Sequence, residues 1–174
     1  ISSGLRRLPC AKTNSQPSIY FDDTLDNNLV TQSSSWSTAG DTTIFCVWDK
    51  ELAAGAREVW SNVAVRWFGG TNNAQVYVAP SALVYTAVEV QHLFNYEHRD
   101  GVSKSVYIDG SQDATSATPG AVPTSSSIAR IGRRYNSAES WVPMYQQELI
   151  VYPSDKSTNR TAIETDINNY FSIY

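Results

Sequence analysis

Acidic side chains are the first candidates for chemistry in this chain. A retaining glycoside hydrolase needs two carboxyl groups about 5 Å apart. A strand can supply them through a run such as Glu-x-Asp-x-x-Glu, and the chain contains no such run. Glu89 and Glu97 share a face but lie too far apart along a strand, and Glu148 stands alone in its strand. The spacing therefore predicts no catalytic residues, and we expect no enzyme activity.

The two histidines do not form a recognisable catalytic set either. His92 alternates with apolar residues in the run from Val88 to Tyr96, which favours a core or semi-buried histidine over a catalytic one. His98 stands beside Arg99 in a predicted turn, so we expect it at the exposed surface. No nucleophile elbow and no Gly-rich phosphate loop accompanies them.

No metal or other cofactor is predicted, because the two His and two Cys are too dispersed for metal-ligand spacing. Calcium alone is left open, since hard cations bind the carboxylates and carbonyls of loops. The candidate loop acids are Asp22, Asp23, Asp41, Asp100 and Asp113.

Cys46 lies in an apolar run and is predicted to be a buried free thiol, with a Cys10–Cys46 disulfide as the alternative.

Aromatic residues are plentiful, with five Trp and ten Tyr, and sugars bind to aromatic faces flanked by polar side chains. We expect Trp48 and Trp67 in the core, which leaves the loop before and around Trp141 as the best exposed cluster. The predicted glycan-binding residues are Arg133, Arg134, Tyr135, Asn136 and Trp141. The alternatives for this loop are a solvated rim or a subunit contact rich in Arg and Tyr.

Length and charge limit the remaining possibilities. A chain of 174 residues favours one domain. A net charge of −4 disfavours nucleic acid as the partner, because phosphate binding needs a basic footprint. No apolar run approaches the length of a membrane span, so we expect no membrane insertion.

The elements that would position such residues are mostly strands. Thr42 to Asp49 is apolar on both faces, as expected for an inner strand of a sandwich. Val88 to Tyr96 alternates, and Asp100-Gly101 is a hairpin signal before a return strand. Ser111 to Ser127 is poor in large apolar residues and is interpreted as a long surface loop. Met144 to Tyr152 is a further strand, stopped by Pro153.

The chain closes with a predicted helix from Thr158 to Phe171. Its apolar stripe comprises Ile163, Ile167, Tyr170, Phe171 and Tyr174. Thr161 followed by Glu164 fits a capping box, and Ser157 or Thr158 is the competing N-cap. We expect this helix to bury its stripe against a sheet edge or an end of the sandwich.

Two segments resemble the concanavalin A-like, laminin-G-like jelly-roll domains. One is the closing run Gln147-Glu-Leu-Ile-Val-Tyr152 with Ser154 to Arg160 and the final Asn-Tyr-Phe-Ser-Ile-Tyr174. The other is the hairpin His92-Leu-Phe-Asn-Tyr96 to Lys104-Ser-Val-Tyr-Ile-Asp-Gly110. In the opening turn, Asp23 replaces the Gly of the family pattern. The resemblance implies an all-β, antiparallel jelly-roll sandwich with one short C-terminal helix over residues 18–174.

Residues 1–17 are then an N-terminal arm or linker, and the chain, which begins with Ile1, is expected to come from a larger polypeptide. Such domains occur in bacterial surface proteins and bacteriophage virions, and the wording from Tyr152 to Thr161 is close to phage structural proteins. The first hypothesis is a non-catalytic virion protein: a capsid decoration, head fibre or tail-associated protein. Its partners would be other virion proteins or further copies of itself, and a polysaccharide or cell-surface glycan.

Two alternatives remain open. One is a secreted bacterial carbohydrate-binding or adhesion module, which would be extracellular or on the cell surface. The other is a carbohydrate-active enzyme of the same fold with an unrecognised site. Because folds host many functions, the resemblance predicts the fold more firmly than it predicts any of the three functions.

Overall fold

The computed structural model describes residues 7–8, 16–21, 29–30, 40–50, 58–61, 65–70, 73–78, 81–86, 90–119, 130–132 and 144–174. These residues form thirteen strands and one helix. The strands are β1 Arg7–Leu8, β2 Ser18–Phe21, β3 Leu29–Val30, β4 Thr42–Lys50, β5 Glu58–Ser61, β6 Val65–Gly70, β7 Asn73–Val78, β8 Ser81–Val84, β9 His92–Arg99, β10 Ser103–Ile108, β11 Ser111–Ser116, β12 Arg130–Ile131 and β13 Met144–Tyr152. The helix, α1, is Arg160–Phe171.

The strands form two antiparallel sheets. One sheet has seven strands in the order β1-β2-β13-β4-β9-β10-β11, and the other has six in the order β3-β12-β5-β6-β7-β8. Each sheet combines consecutive strands, such as β9-β10-β11 and β5-β6-β7-β8, with neighbours that are far apart in the sequence, such as β13 beside β2 and β4. The predicted all-β, antiparallel jelly-roll sandwich with one short C-terminal helix is confirmed.

The main core lies between the two sheets. Ile44, Trp48 and Phe94 of the seven-stranded sheet are fully buried there, in one cluster with Val76 and Leu83 of the six-stranded sheet. Cys46 belongs to this cluster as a free thiol, as predicted, and burial raises its pKa to about 12. A thiol so far from ionisation packs as a small apolar side chain.

The outer face of the seven-stranded sheet is also buried, and α1 covers it. Phe45 and Val47 of β4 and Leu93 of β9 pack there against Ile167 and Phe171 of the helix. The helix thus lies on the face of the sheet, and the prediction of an edge or end position was wrong. A face offers the helix the apolar odd-numbered residues of β4, which an edge would not.

The helix itself differs from its sequence pattern in two ways. It begins at Arg160 with Asn159 as N-cap and no side-chain capping bond, so the capping box and the Ser157 or Thr158 cap were wrong. Tyr170 and Tyr174 are 60% and 55% exposed, so the predicted stripe narrows to Ile163, Ile167 and Phe171. Of the five predicted stripe residues, these three pack against the sheet, because the buried face of one helix on a sheet is narrow.

One predicted loop is a strand. Ser111–Ser116 pairs with β10 as the edge of the seven-stranded sheet, where it was predicted as part of a long surface loop. An edge strand forms through backbone pairing alone and needs few large apolar side chains. At the opposite edge, Arg7–Leu8 pairs with Ser18 and Ile19 of β2. The rest of the predicted arm up to Ser15 lies outside the described residues.

Gly132 gives a test of the core. Its φ is +79°, and a Cβ there would lie 2.5 Å from Cδ1 of the fully buried Phe21. We expect Gly132→Ala to lower the free energy of unfolding by about 3 kcal/mol through overpacking and backbone strain. Urea unfolding monitored by circular dichroism measures it.

Gly101→Ala is the matched control. Gly101 also has positive φ, +66°, but a Cβ there would meet nothing within 4 Å. We expect the control to lose only about 1 kcal/mol, the backbone share of the effect. Equal losses at the two positions would contradict the packing shown for Gly132.

Candidate functional site

The predicted glycan-binding residues cannot be placed. Arg133, Arg134, Tyr135, Asn136 and Trp141 lie outside the described residues, between β12 and β13. Their role remains a prediction from the sequence. Trp48 is buried as expected, whereas the side chain of Trp67 is not described.

Two of the loop acids considered for calcium, Asp41 and Asp113, accept hydrogen bonds from other residues of the chain. Asp41 accepts a hydrogen bond from the backbone N–H of Asp100, at 2.8 Å. Asp113 accepts two bonds from Thr86, from N and Oγ1, each at 2.7 Å, and so ties β11 to the end of β8. Asp22 and Asp23 lie outside the described part of the chain. Among the residues that are described, no three His, Cys, Asp or Glu side chains converge on a metal position.

His98 is not at the surface, and that prediction was wrong. Strand β9 continues to Arg99, so His98 keeps the inward direction of Phe94 and Tyr96 and is fully buried. Its Nδ1 lies 3.3 Å from the hydroxyl of Tyr96. Burial lowers the pKa of His98, and also that of its cross-strand neighbour Lys104. These groups are sealed within the sandwich and cannot reach a ligand in this conformation.

A charged cluster lies where the first turn of α1 meets the outer face of the sheet. Arg160 Nη1 donates to Glu164 Oε2 at 2.5 Å, and Arg160 Nε lies 3.7 Å from Glu97 Oε1 on β9. The guanidinium also lies over the ring of Tyr107, 4.0 Å from its centroid, and donates to the carbonyl of Gly110. Sequence reasoning missed this cluster, because its members come from three separate elements.

The burial of its two carboxyl groups limits which molecules the charged cluster can contact. Glu97 and Glu164 are 5% and 3% exposed, and the Oε1 atom of each accepts no hydrogen bond from a described residue. Burial raises the pKa of both carboxyl groups against the opposing effect of Arg160. Two carboxyl groups share one guanidinium, so a proton on one of them neutralises the cluster. Because the helix closes it off, a polysaccharide has no access to either carboxyl group.

A second polar group lies at the rim, where β9 begins and β10 ends. His92 Nδ1 and Asp109 Oδ2 are 2.5 Å apart, and their side chains are 19% and 23% exposed. Asp109 also accepts a hydrogen bond from the backbone N–H of Leu93. His92 was predicted to be core or semi-buried, and it is semi-buried. The sequence alone could not predict that His92 pairs with Asp109, because seventeen residues separate the two.

Beside His92, Gln91 donates its side-chain amide to Gln147 Oε1. Gln147 is the extra residue of a β-bulge, where the register of β13 with β4 shifts between Gln146 and Glu148. The rim thus carries amide, imidazole and carboxylate groups, of which Gln91 is buried and His92 and Asp109 are partly exposed. This polar composition is that expected of a site that orients a ligand through hydrogen bonds.

The charged cluster predicts a dependence of stability on pH. Because the folded state raises the pKa of Glu97 and Glu164, it binds more protons than the unfolded chain just above the ordinary carboxyl pKa of 4.5. The free energy of unfolding contributed by these groups therefore falls as pH rises. For Glu97→Gln, which cannot titrate, we expect a shallower fall as pH rises from the ordinary carboxyl pKa of 4.5, by at most about 1.4 kcal/mol per pH unit.

Urea unfolding across a pH series checks this expectation, with the difference between variant and wild type as the measured quantity. Asp166→Asn removes an exposed carboxyl group from the same helix and is the control for the loss of one negative charge. A Glu97→Gln curve parallel to the wild-type curve would show that Glu97 holds no extra proton in the folded state.

The chain has no match by sequence and clear matches by fold. No protein-family model and no curated protein sequence matches it. The binding domain of paraclostridial mosquitocidal protein 1 matches with a TM-score of 0.76 and 9% identity, over 98% of this chain and 47% of that one. The binding domain of botulinum neurotoxin serotype C1 matches with a TM-score of 0.67 and 9% identity, over 97% and 45%.

A Trypanosoma rangeli sialidase in complex with the inhibitor DANA also matches, with a TM-score of 0.62 and 12% identity, over 91% of this chain and 27% of the sialidase. At these identities the matches show the fold alone. The chain spans about half the length of the two toxin binding domains. Within the described residues, no helix is long and apolar enough to cross a membrane. The fold is thus a β-sandwich of the kind found in toxin binding domains.

Proposed function

We propose that this chain is a non-catalytic glycan-binding module that acts outside the cell. The observation that carries the proposal is the likeness to a toxin binding domain over 98% of the chain. A structure of botulinum neurotoxin type C that concerns its interaction with two ganglioside molecules also matches, with a TM-score of 0.67 and 10% identity. This chain covers 45% of that one, so ganglioside binding by the whole toxin domain transfers to this chain only as a proposal.

The burial of the charged groups supports a binding module over an enzyme. Glu97 is buried beneath α1, Glu164 is buried on the side of α1 that faces the sheet, and Glu148 directs one oxygen to the backbone N–H of Leu149. Accessible polar groups are found at the rim instead. The predicted loop from Arg133 to Trp141 would add aromatic and cationic groups, which suits a glycan that carries hydroxyl and acidic groups.

A more specific version of this proposal is that the chain is part of a phage particle. It rests on the sequence from Tyr152 to Thr161 and has no support from the toxin and sialidase structures above. As a capsid decoration, head fibre or tail-associated protein, the chain would be present at a fixed copy number in purified particles. Mass spectrometry of such particles tests this role separately from glycan binding, and absence of the chain from them would remove it.

Glycan binding is tested on an array of sialylated and neutral glycans with the 174-residue chain. We expect binding to at least one glycan, and about tenfold weaker binding for Tyr135→Ala and for Trp141→Ala, because each removes an aromatic face. Tyr20→Phe is the control, since Tyr20 lies on β2 with its ring 4.7 Å from that of Tyr145. Absence of binding to every glycan by the folded wild-type chain would end the proposal.

The lack of catalysis is tested with a broad glycan-degradation screen. We expect no product from any polysaccharide after prolonged incubation, because Glu97 and Glu164 are buried and Glu148 directs one oxygen to the backbone N–H of Leu149. Release of sugar by the wild-type chain, lost in Glu148→Gln, would instead establish the enzyme alternative. Glu139→Gln, which changes another acid of the chain, controls for trace contaminating activity, since a contaminant would survive both substitutions.

A further inference from the structure

One end of the sandwich contains a row of buried polar side chains. Thr42 of β4, His98 of β9 and Lys104 of β10 are cross-strand partners, and each alternates with core residues of its own strand. All three therefore point between the two sheets, and they are 0%, 0% and 1% exposed. Directly paired residues on one face of a sheet have Cβ atoms about 5 Å apart. A lysine thus lies beside the His98 imidazole in the interior.

The His98 ring has no hydrogen-bonded anion among the described residues. Its Nδ1 lies 3.3 Å from the hydroxyl of Tyr96, which is neutral because burial raises its pKa. Its Nε2 forms no hydrogen bond and lies 3.9 Å from Oδ1 of Asp100, whose side chain is 51% exposed. A positive charge on this ring would be buried without a hydrogen-bonded counter-charge, which is costly.

The surroundings of His98 keep it uncharged at neutral pH. Burial lowers its pKa below the ordinary value of 6.5, and Lys104 lowers it further, against the opposing effects of Asp100 and Asp41. In the described part of the chain, the titratable groups around the ring are Tyr96 of β9, Asp100 of the following turn, Asp41 before β4 and Lys104 of β10. His98 therefore takes up a proton at a higher pH when it is exposed to water.

The turn between β9 and β10 closes this end of the sandwich. Asp41 Oδ1 accepts a hydrogen bond from the Asp100 backbone N–H at 2.8 Å, which ties the turn to the start of β4. Within the turn, the Val102 N–H donates to the Arg99 carbonyl at 3.0 Å. Because Asp41, Asp100 and Val102 are exposed, these contacts belong to the kind that opens most readily.

We propose that His98 is an acid-sensitive switch, in which protonation of its buried ring opens the end of the sandwich between β4 and the β9–β10 turn. The open form brings the charged ring into water and away from Lys104. The switch is a conformational change and does not depend on the proposed glycan binding. Its stabilisation of the closed form is complete above pH 6.5 and is lost as pH falls below this value, because the open form binds one more proton.

Hydrogen exchange of backbone amides, corrected for the intrinsic effect of pH, measures the opening between about pH 7.5 and about pH 5.5. We expect the opening constant of residues 99–104 to rise by up to about tenfold for each pH unit below 6.5. The Asp109 N–H, which donates to the Leu93 carbonyl at the other end of the hairpin, is the internal control. Its corrected exchange should stay constant. NMR titration of the His98 ring should give a pKa below 6.5.

His98→Gln removes the titrating ring and keeps a polar side chain. We expect residues 99–104 of this variant to lose the acid response. The opposite pH effect of Glu97 and Glu164 is present in both proteins, so the difference between variant and wild type isolates His98. His92→Gln is the matched control, since His92 is the other histidine of the chain and lies at the far end of the same strand. It should keep the full acid response.

Lys104→Met changes the neighbour and leaves the ring in place, so it keeps the proposal testable if His98→Gln does not fold. Methionine suits a position that is 1% exposed. Without the lysine, the pKa of His98 should rise towards 6.5 and the acid response should become smaller, because Lys104 lowers that pKa in the wild-type protein. The same NMR titration and exchange series measure both effects.

A His98 pKa below 6.5, with an acid response that is confined to residues 99–104 and absent from His98→Gln, would support the switch. Each of four results would overturn it. These are a His98 pKa at or above 6.5, an equal acceleration of exchange at Asp109, an undiminished acid response in His98→Gln, and a His98 pKa that does not change in Lys104→Met.

Discussion

The central strand β4 is apolar on both faces, and this burial is the constraint on which the rest of the structure depends. Its even-numbered residues, such as Ile44 and Trp48, face the six-stranded sheet and fill the space between the sheets. Its odd-numbered residues Phe45 and Val47 face outward, where water would meet them if nothing covered the sheet. Helix α1 supplies the cover. A sandwich alone would leave this second apolar face exposed.

Once α1 lies on the sheet, its polar residues are brought into contact with strand residues that would otherwise be solvated. Arg160 reaches between Glu97 and Glu164 and over Tyr107, and it neutralises part of the charge that the helix buries. The same placement brings Tyr174 beside Gly110, which has no side chain to block it. The burial of these charges and the position of Tyr174 beside Gly110 both follow from the placement of α1 on the sheet.

This division supports the proposed binding function over the enzyme alternative. Groups with shifted pKa values often mark active sites, yet here Glu97, Glu164 and His98 owe their shifts to burial beneath the helix or within the sandwich. The rim pair of His92 and Asp109 stays partly exposed and is held by backbone contacts rather than by buried charge. A rigid sandwich that presents oriented polar groups at one end suits recognition of a ligand from solution.

Local sequence patterns were enough to predict much of the fold. The strand Met144–Tyr152 matches its prediction, and β4 differs by only one residue, because both are continuous apolar or alternating runs. The hairpin at Asp100-Gly101 is equally visible from its Asp-Gly pair, and β9 and β10 pair on either side of it. The antiparallel sandwich class follows from these repeated short strands and turns.

Other features required the tertiary structure. Ser111–Ser116 has no apolar pattern and became a strand only through backbone pairing with β10. His98 was assigned to the surface because its neighbours in sequence are polar, whereas the length of β9 places it inside. The pairings of Glu97 with Arg160 and of His92 with Asp109 join residues from different elements, and spacing along the chain carries no information about them. By itself, the sequence determined the strands that have an apolar or alternating pattern and the sandwich class, because these depend on local periodicity. Only the tertiary structure decided which face the helix covers, and hence which polar groups are buried and which remain at the rim, because that choice depends on how distant apolar surfaces fit together.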